Sequence, residues 1–269
     1  MAFAQYFIGP RASGTGEAFR ANIAPLEQIF LNPAILPFAQ GLSTAWFYNK
    51  GNLGSGLKEK STHGFAIVDN SKGVVFPGAF SYLRRLQHFI NSPDVKEDYA
   101  QLSLGGGLFR RLTMGGSLIW LQHEEAGQKA VVQWNGTLGW MWIPFENWAF
   151  SFVFSHFLKA DEEKVPAHLQ LIPQWALAGN YMFSHFFKLL FDVTRKVHGE
   201  NQNFGYHLGF ESYIHPLWVV RSGISWEGAE RLIGMGLSFD GPRLKLDYSY
   251  TLKPQTDQSL HSVGARLSF

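Results

Sequence analysis

Residues 243–252 read RLKLDYSYTL, and their side chains sort by parity. Leu244, Leu246, Tyr248 and Tyr250 fall on one side of an extended chain, and Arg243, Lys245, Asp247 and Ser249 on the other. Such strict alternation is the signature of a strand with one apolar and one polar face. The pattern spreads outward in both directions. Val263, Ala265, Leu267 and Phe269 oppose Ser262, Gly264, Arg266 and Ser268, and Ile233, Met235, Leu237 and Phe239 oppose Gly234, Gly236 and Ser238. Far upstream, Trp148, Phe150, Phe152 and Phe154 oppose Ala149, Ser151, Val153 and Ser155. A soluble sandwich buries the apolar face, whereas a membrane barrel turns it outward and keeps small and charged residues inside.

Alternating segments are expected at residues 42–49, 61–68, 74–86, 99–108, 112–122, 130–142, 148–158, 167–182, 186–197, 204–214, 218–226, 231–239, 243–252 and 259–269. That is about fourteen strands, an even number as single-chain bacterial barrels require. The connections sort as well. Charged, longer stretches (50–60, 88–97, 160–166, 198–203, 253–258) join odd strands to even ones, and short turns such as His215-Pro216 and Asp240-Gly241-Pro242 join even to odd. Long loops at one rim and tight turns at the other belong to outer-membrane barrels. Aromatics near segment ends (Trp46, Tyr48, Trp142, Trp148, Trp218, Trp226) suit interfacial girdles.

Composition agrees. Aromatics make up 16% of the 269 residues, equal to the charged fraction, and mean hydropathy is -0.08. No run approaches the roughly 18 apolar residues of a membrane helix, so a membrane location requires a closed barrel. A net charge of +2 without long single-sign runs gives no footprint for nucleic acid. The absence of cysteine excludes thiolate metal sites and disulfides. The acidic groups Glu124-Glu125 and Asp161-Glu162-Glu163 read as solvated loop charges, and no metal or cofactor is expected. Ala2-Phe3-Ala4 has the small-x-small form of a signal-peptidase site, so the chain is expected to be mature, its signal peptide removed.

Residues 9–41, GPRASGTGEAFRANIAPLEQIFLNPAILPFAQG, do not alternate. We expect residues 1–41 to form a hatch inside a barrel made by residues 42–269. Gly14 and Gly16 would let its backbone fold tightly against the wall, and Asn32-Pro33 would fix a turn before the barrel begins.

At this point the chain resembles the FadL/PorV-like outer-membrane barrels. Their N-terminal R-x-x-G-x-G-x-A-F element matches Arg11, Gly14, Gly16, Ala18 and Phe19, and their N-P-A-x-L element matches Asn32, Pro33, Ala34 and Leu36. VVRSGISW (219–226), LDYSY (246–250) and a last strand closing on Phe269 are similar to the family's C-terminal strands. Ile35 stands where the family has glycine, and the chain is too short for the large surface loops of FadL itself. The resemblance implies a fourteen-stranded all-β barrel in the bacterial outer membrane, a lumenal hatch, and Phe269 as the insertion signal for the barrel assembly machinery. It also implies a lateral gate where the third strand is kinked. Pro77-Gly78 falls inside the expected third strand, where a residue without an N–H cannot join the ladder, and Gly105-Gly106-Gly107 lie beside it.

Enzyme chemistry has little support. His261-Ser262 and Ser155-His156 supply nucleophile and base, but neighbours along a strand face opposite sides. The repeated FSHFLK (154–159) and FSHFFK (183–188) read as rim aromatics with interfacial cations. The expected function is therefore passive uptake or carriage of a hydrophobic ligand or lipid past the hatch. Asp192, Glu211, Arg221, Lys245, Asp247 and Arg266 are the lumenal charges, able to pair or to hold a headgroup. The alternative is a non-transporting barrel: a PorV-like docking or shuttle subunit of a secretion system, or a homo-oligomer organising membrane lipid or lipopolysaccharide.

Overall fold

In a computed structural model, antiparallel pairing carries the chain around a full circle and back to its first strand. The structure describes residues 7–52, 57–90, 93–158, 165–166, 169–184, 186–197 and 203–269. Ala2-Phe3-Ala4, Asp161-Glu162-Glu163 and His185 lie outside these residues. Among them are fourteen strands: β1 Gly41–Asn52, β2 Leu57–Asn70, β3 Gly78–Phe89, β4 Val95–Phe109, β5 Leu112–Glu125, β6 Val131–Phe145 and β7 Trp148–Ser155 form the first half. The second half is β8 Gln174–Met182, β9 Phe187–Lys196, β10 Phe204–His215, β11 Trp218–Glu227, β12 Glu230–Asp240, β13 Leu244–Lys253 and β14 Gln258–Ser268. Each strand pairs with its sequence neighbours, and β1 pairs with β14 from Ser43↔Ser268 to Asn52↔Ser259, closing the barrel. Closure leaves no sheet edge, the condition for strands to satisfy their backbone in lipid.

Parity assigns the faces as the sequence implies. On β13, Leu246 and Tyr248 are each 45% exposed while Asp247 between them is 4% exposed. The outer wall is apolar and the inner wall mostly small, polar or charged, with an apolar patch at Phe47, Val68, Leu83 and Met141, an arrangement that suits a membrane barrel. No helix is long and apolar enough to cross a membrane.

Three expectations need correction, the first at β8, which begins at Gln174, just after Pro173, and not at the expected 167. Residues 74–77 are not strand: β3 begins at Gly78, so Pro77 precedes the third strand rather than kinking it. Pro77 has no N–H to donate, and the ladder starts at the next residue that does. The β2–β3 connection, residues 71–77, is thereby the longest at a rim otherwise closed by turns of two to four residues, among them Arg110-Arg111, Glu146-Asn147 and Pro216-Leu217. β7 stops at Ser155, short of the expected 158, because His156 takes a left-handed φ of 56°. Pro144 is tolerated near the end of β6, where the β6–β7 register shifts between Trp142 and Phe145.

Before β1 the chain forms three short helices: α1 (Pro10–Gly14), α2 (Pro25–Gln28) and a 3-10 helix (Pro33–Phe38). Asn32 caps the last, its Oδ1 accepting the N–H of Ala34 at 3.0 Å, and Pro33 follows where no donor is needed.

Candidate functional site in the lumen

Residues 7–39 are almost entirely buried, and their partners come from strands on all sides of the barrel. Backbone carbonyls of this inner segment accept from Asn49 on β1 (Ile8 O, 2.9 Å), Gln101 on β4 (Ile29 O, 2.8 Å), Thr113 on β5 (Ala34 O, 2.7 Å), Ser151 on β7 (Arg20 O, 3.0 Å) and Asn180 on β8 (Ala21 O, 2.5 Å). Arg11, Gly14, Gly16, Phe19, Asn32, Pro33 and Ala34, all singled out from sequence, lie in it.

Its two tight turns sit where the wall has no side chains. Gly209, Gly223 and Gly234 are register partners on β10, β11 and β12. A Cβ at Gly223 would lie 2.1 Å from the carbonyl carbon of Thr15. Gly105, Gly115 and Gly139 form a second row across β4, β5 and β6. There a Cβ at Gly115 would lie 2.4 Å from the carbonyl carbon of Pro33. Gly16 adds a φ of 62° to its own close approach to Ile224.

Around the first turn the contact is ionic. Glu211 is fully buried and faces three cations: Arg221 Nε at 2.5 Å, Lys188 Nζ at 3.4 Å and Arg11 of α1 at 3.6 Å. Asp247 takes Arg266 Nε at 2.9 Å and Arg11 Nε at 3.9 Å, and Ser238 joins it to Arg221 through two hydrogen bonds. Arg266 also reaches Asp240 at 3.3 Å, beside the half-exposed Lys245. Asp192 holds the segment's other cation, accepting from Arg20 Nη1 at 3.1 Å and from the N–H groups of Phe19 and Arg20 through the same oxygen. The guanidinium of Arg11 stands 6.0 Å from the Phe19 ring. Buried charges of both signs stay ionised only when paired in this way. The structure thus brings Asp192, Glu211, Arg221, Asp247 and Arg266 together with Arg11 and leaves Lys245 at the margin.

Around the second turn the contact is apolar. Ile35 and Leu36 of the 3-10 helix are fully buried with Phe7, Leu26, Ile29 and Phe30 against Phe47, Val68, Leu83 and Met141 of the wall. Phe7 and Phe30 meet edge to face at 4.9 Å, and Phe47 and Tyr99 extend the aromatic group at 5.4–6.5 Å.

Sequence reading missed Glu27, which folds back on α1 and accepts the N–H groups of Arg11 at 3.0 Å and Ala12 at 2.7 Å. Burial outweighs those two bonds and pushes its carboxyl up to about 7. It also missed Asn22 and Lys188, which bond to each other at 2.9 Å and both reach Glu211. Pro77 and Gly78 sit at the short-turn rim, where Pro77 O accepts the N–H of Gly105 at 3.0 Å. Phe269 lies at the same rim, its N–H bonded to Leu42 O at 3.0 Å. His261 faces outward, bonded to Tyr248, while Ser262 is buried inward, so this pair cannot act together. Among the described residues no cluster of His, Asp and Glu is placed to hold a metal.

No family model matches the chain, and no curated protein matches it in sequence. Solved structures do match its fold. CymD, a monoaromatic hydrocarbon channel, superposes with a TM-score of 0.74 at 15% identity, covering 97% of each chain. The Ralstonia pickettii toluene transporter TbuX gives 0.73 at 12% identity, over 97% of this chain and 98% of that one. A Pseudomonas aeruginosa FadL homologue gives 0.72 at 10% identity, over 99% and 100%. At these identities the likeness is one of fold, and the fold is that of the FadL-type barrels.

Proposed function

We propose that this barrel carries hydrophobic small molecules across the bacterial outer membrane, with residues 7–39 as a plug that closes the lumen to water and ions. The observation that carries this reading is the division of the lumen. An apolar solute gains nothing from a wall of buried ion pairs but is accommodated by the aromatic and aliphatic side chains around the 3-10 helix. The channel and transporter with the same fold handle monoaromatic hydrocarbons and toluene, which sets the size class of solute to try first.

The route would run along β1–β6 past Phe7, Phe30, Phe47 and Tyr99 to Gly105, whose inner face touches Leu36 and Pro33. There a lateral gate at Pro77-Gly78 would release the solute into the bilayer. Because β3 starts late, β4 beyond Leu104 meets the residues that precede β3, Gly105 donating its N–H to Pro77 O at 3.0 Å, and the adjoining Val75 and Phe76 are 82% and 63% exposed. The test is uptake of labelled toluene by cells that express the chain, against cells with the empty vector. Faster uptake with the chain is expected; equal rates would refute carriage.

A further inference from the structure

Two serines and an asparagine stand side by side on the inner wall, where the charged and the apolar halves of the lumen meet. Ser249 of β13 is the register partner of Ser262 on β14, and Ser262 is that of Asn49 on β1. All three are buried, the serines completely. Yet Ser249 Oγ, Ser262 Oγ and Asn49 Oδ1 have no hydrogen-bond partner in the protein. Buried polar atoms are nearly always bonded, so three adjacent exceptions need a physical reason. Register partners hold their Cβ atoms about 4.5–5.5 Å apart. Short side chains facing the same way thus miss one another and leave a gap that one guest oxygen can bridge.

The donors and acceptors specify that guest. Asn49 Nδ2 is spent on Ile8 O at 2.9 Å, which leaves Oδ1 as a pure acceptor, while each serine can donate and accept. A hydroxyl answers both, donating to Asn49 and accepting from a serine. The guest must also be neutral. Asp247, two residues from Ser249 on the same face, repels an anion, and its partners Arg266 and Arg11 repel a cation. A place for a ring adjoins the three atoms. Phe47 lies two residues from Asn49 on the same face, its ring so close to Gly264 that a Cβ there would stand 3.5 Å away. Phe7 meets Phe47 at 5.4 Å, and Pro10 covers Gly264 from the segment's side.

We propose that Ser249, Ser262 and Asn49 form the polar end of a binding site for a neutral, singly hydroxylated aromatic of one ring, a phenol of about the size of toluene. Its ring takes the place of Phe7 against Phe47, one apolar contact exchanged for another. The inference rests on the carriage reading and narrows its solute. The three atoms are already stripped of water and unpaired, so a guest hydroxyl gains their bonds without a further desolvation cost on the protein's side.

The experiment is a fluorine NMR titration of the full chain, purified in detergent micelles, with para-fluorophenol and with fluorobenzene, each read against micelles alone. The wild-type chain should bind the phenol about tenfold more tightly, the worth of one to two net hydrogen bonds. Ser249→Ala/Ser262→Ala should abolish that preference and leave fluorobenzene affinity unchanged, whereas Ser43→Ala, which removes an inward hydroxyl bonded to Ser268, should keep it. The double variant should unfold at no lower a urea concentration than wild type, because the lost hydroxyls had no partner; earlier unfolding would assign them to the fold instead. Equal binding of both probes, binding of neither, or a preference that survives the double variant overturns the site, its atoms then holding only water. Toluene uptake, measured separately, decides whether carriage falls with it.

Discussion

Helix α1 and the 3-10 helix meet the same wall on different terms. Beside α1, β9–β14 present Asp192, Glu211, Arg221, Asp247 and Arg266, and the segment answers with Arg11 and Arg20. Beside the 3-10 helix, β1, β2, β3 and β6 present Phe47, Val68, Leu83 and Met141, and the segment answers with Ile35, Leu36 and Phe30, while the largely buried Arg85, Glu97 and His123 of β3–β5 pair with one another toward the β3–β4 loop. Ion pairs buried together are directional and tolerate little displacement, because a stranded charge is costly. Apolar packing has no direction, and an apolar guest can replace one of its contacts with another. On the carriage reading proposed above, the difference would make the charged side the anchor of the segment and the apolar side the one that yields to a solute.

Removing the first two thirds of the segment should have the largest effect. Deletion of residues 7–29 takes away α1, α2 and both segment cations, and single-channel conductance in planar bilayers should rise from a closed level to that of an open pore. Unchanged conductance would mean that these residues do not seal the lumen. Glu211→Ala takes the nearest carboxylate from Arg221, Lys188 and Arg11, leaving three buried cations to share Asp247, Ser238 and Asn22, and should cost about 3–5 kcal/mol, read as earlier unfolding in detergent micelles. Leu36→Ala on the opposite side should cost about 2–5 kcal/mol through transfer and cavity terms. The comparison sharpens in function: Leu36→Ala should leave uptake intact or faster at temperatures where the barrel is folded, whereas Glu211→Ala should make it leak ions. Leakage from both, or from neither, would erase the distinction between anchor and route.

A smaller effect is set by pH. Glu27 binds its proton in the folded chain up to about pH 7, against 4.5 for the free group. Between those values the folded state holds a proton that the unfolded state has released, so this group makes stability fall as pH rises through that window. Glu27→Gln should flatten the dependence between pH 4.5 and 7, measured as the difference from wild type in urea unfolding. An unaltered slope would mean that Glu27 is already ionised at the bottom of the window.

Much of the barrel was legible because a closed wall with one apolar and one polar face imposes alternation on its strands. Residues 243–252 announced both faces of β13, and the inward positions of Asp247 and Arg266 followed from parity alone. Closure and strand number followed from repeating that pattern. What the pattern could not deliver was the partner of each inward residue, since register and the path of a non-repeating segment are set by contacts distant in sequence. Glu27 illustrates this: in sequence it is one acid in a short amphipathic stretch, and only the fold brings the N–H groups of Arg11 and Ala12 onto it. The glycine rows were visible in part. Gly223 and Gly234 share inward parity on successive segments, but their alignment against Thr15 needed the register. The late start of β3 and early stop of β7 were misread for one reason: Val74, Val75, Phe76, Phe157 and Leu158 have the composition of strands, while the backbone at Pro77 and His156 decides otherwise.

Crystals grown in mild detergent and soaked with bromobenzene test the central claim most directly, because bromine reports its position by anomalous scattering. The account predicts a lumenal bromine site among Phe7, Phe30, Phe47 and Tyr99, within the half of the barrel formed by β1–β6. Bromine found in the lumen only beside Glu211 and Asp247, or found nowhere in the lumen of a barrel that supports toluene uptake, would contradict it.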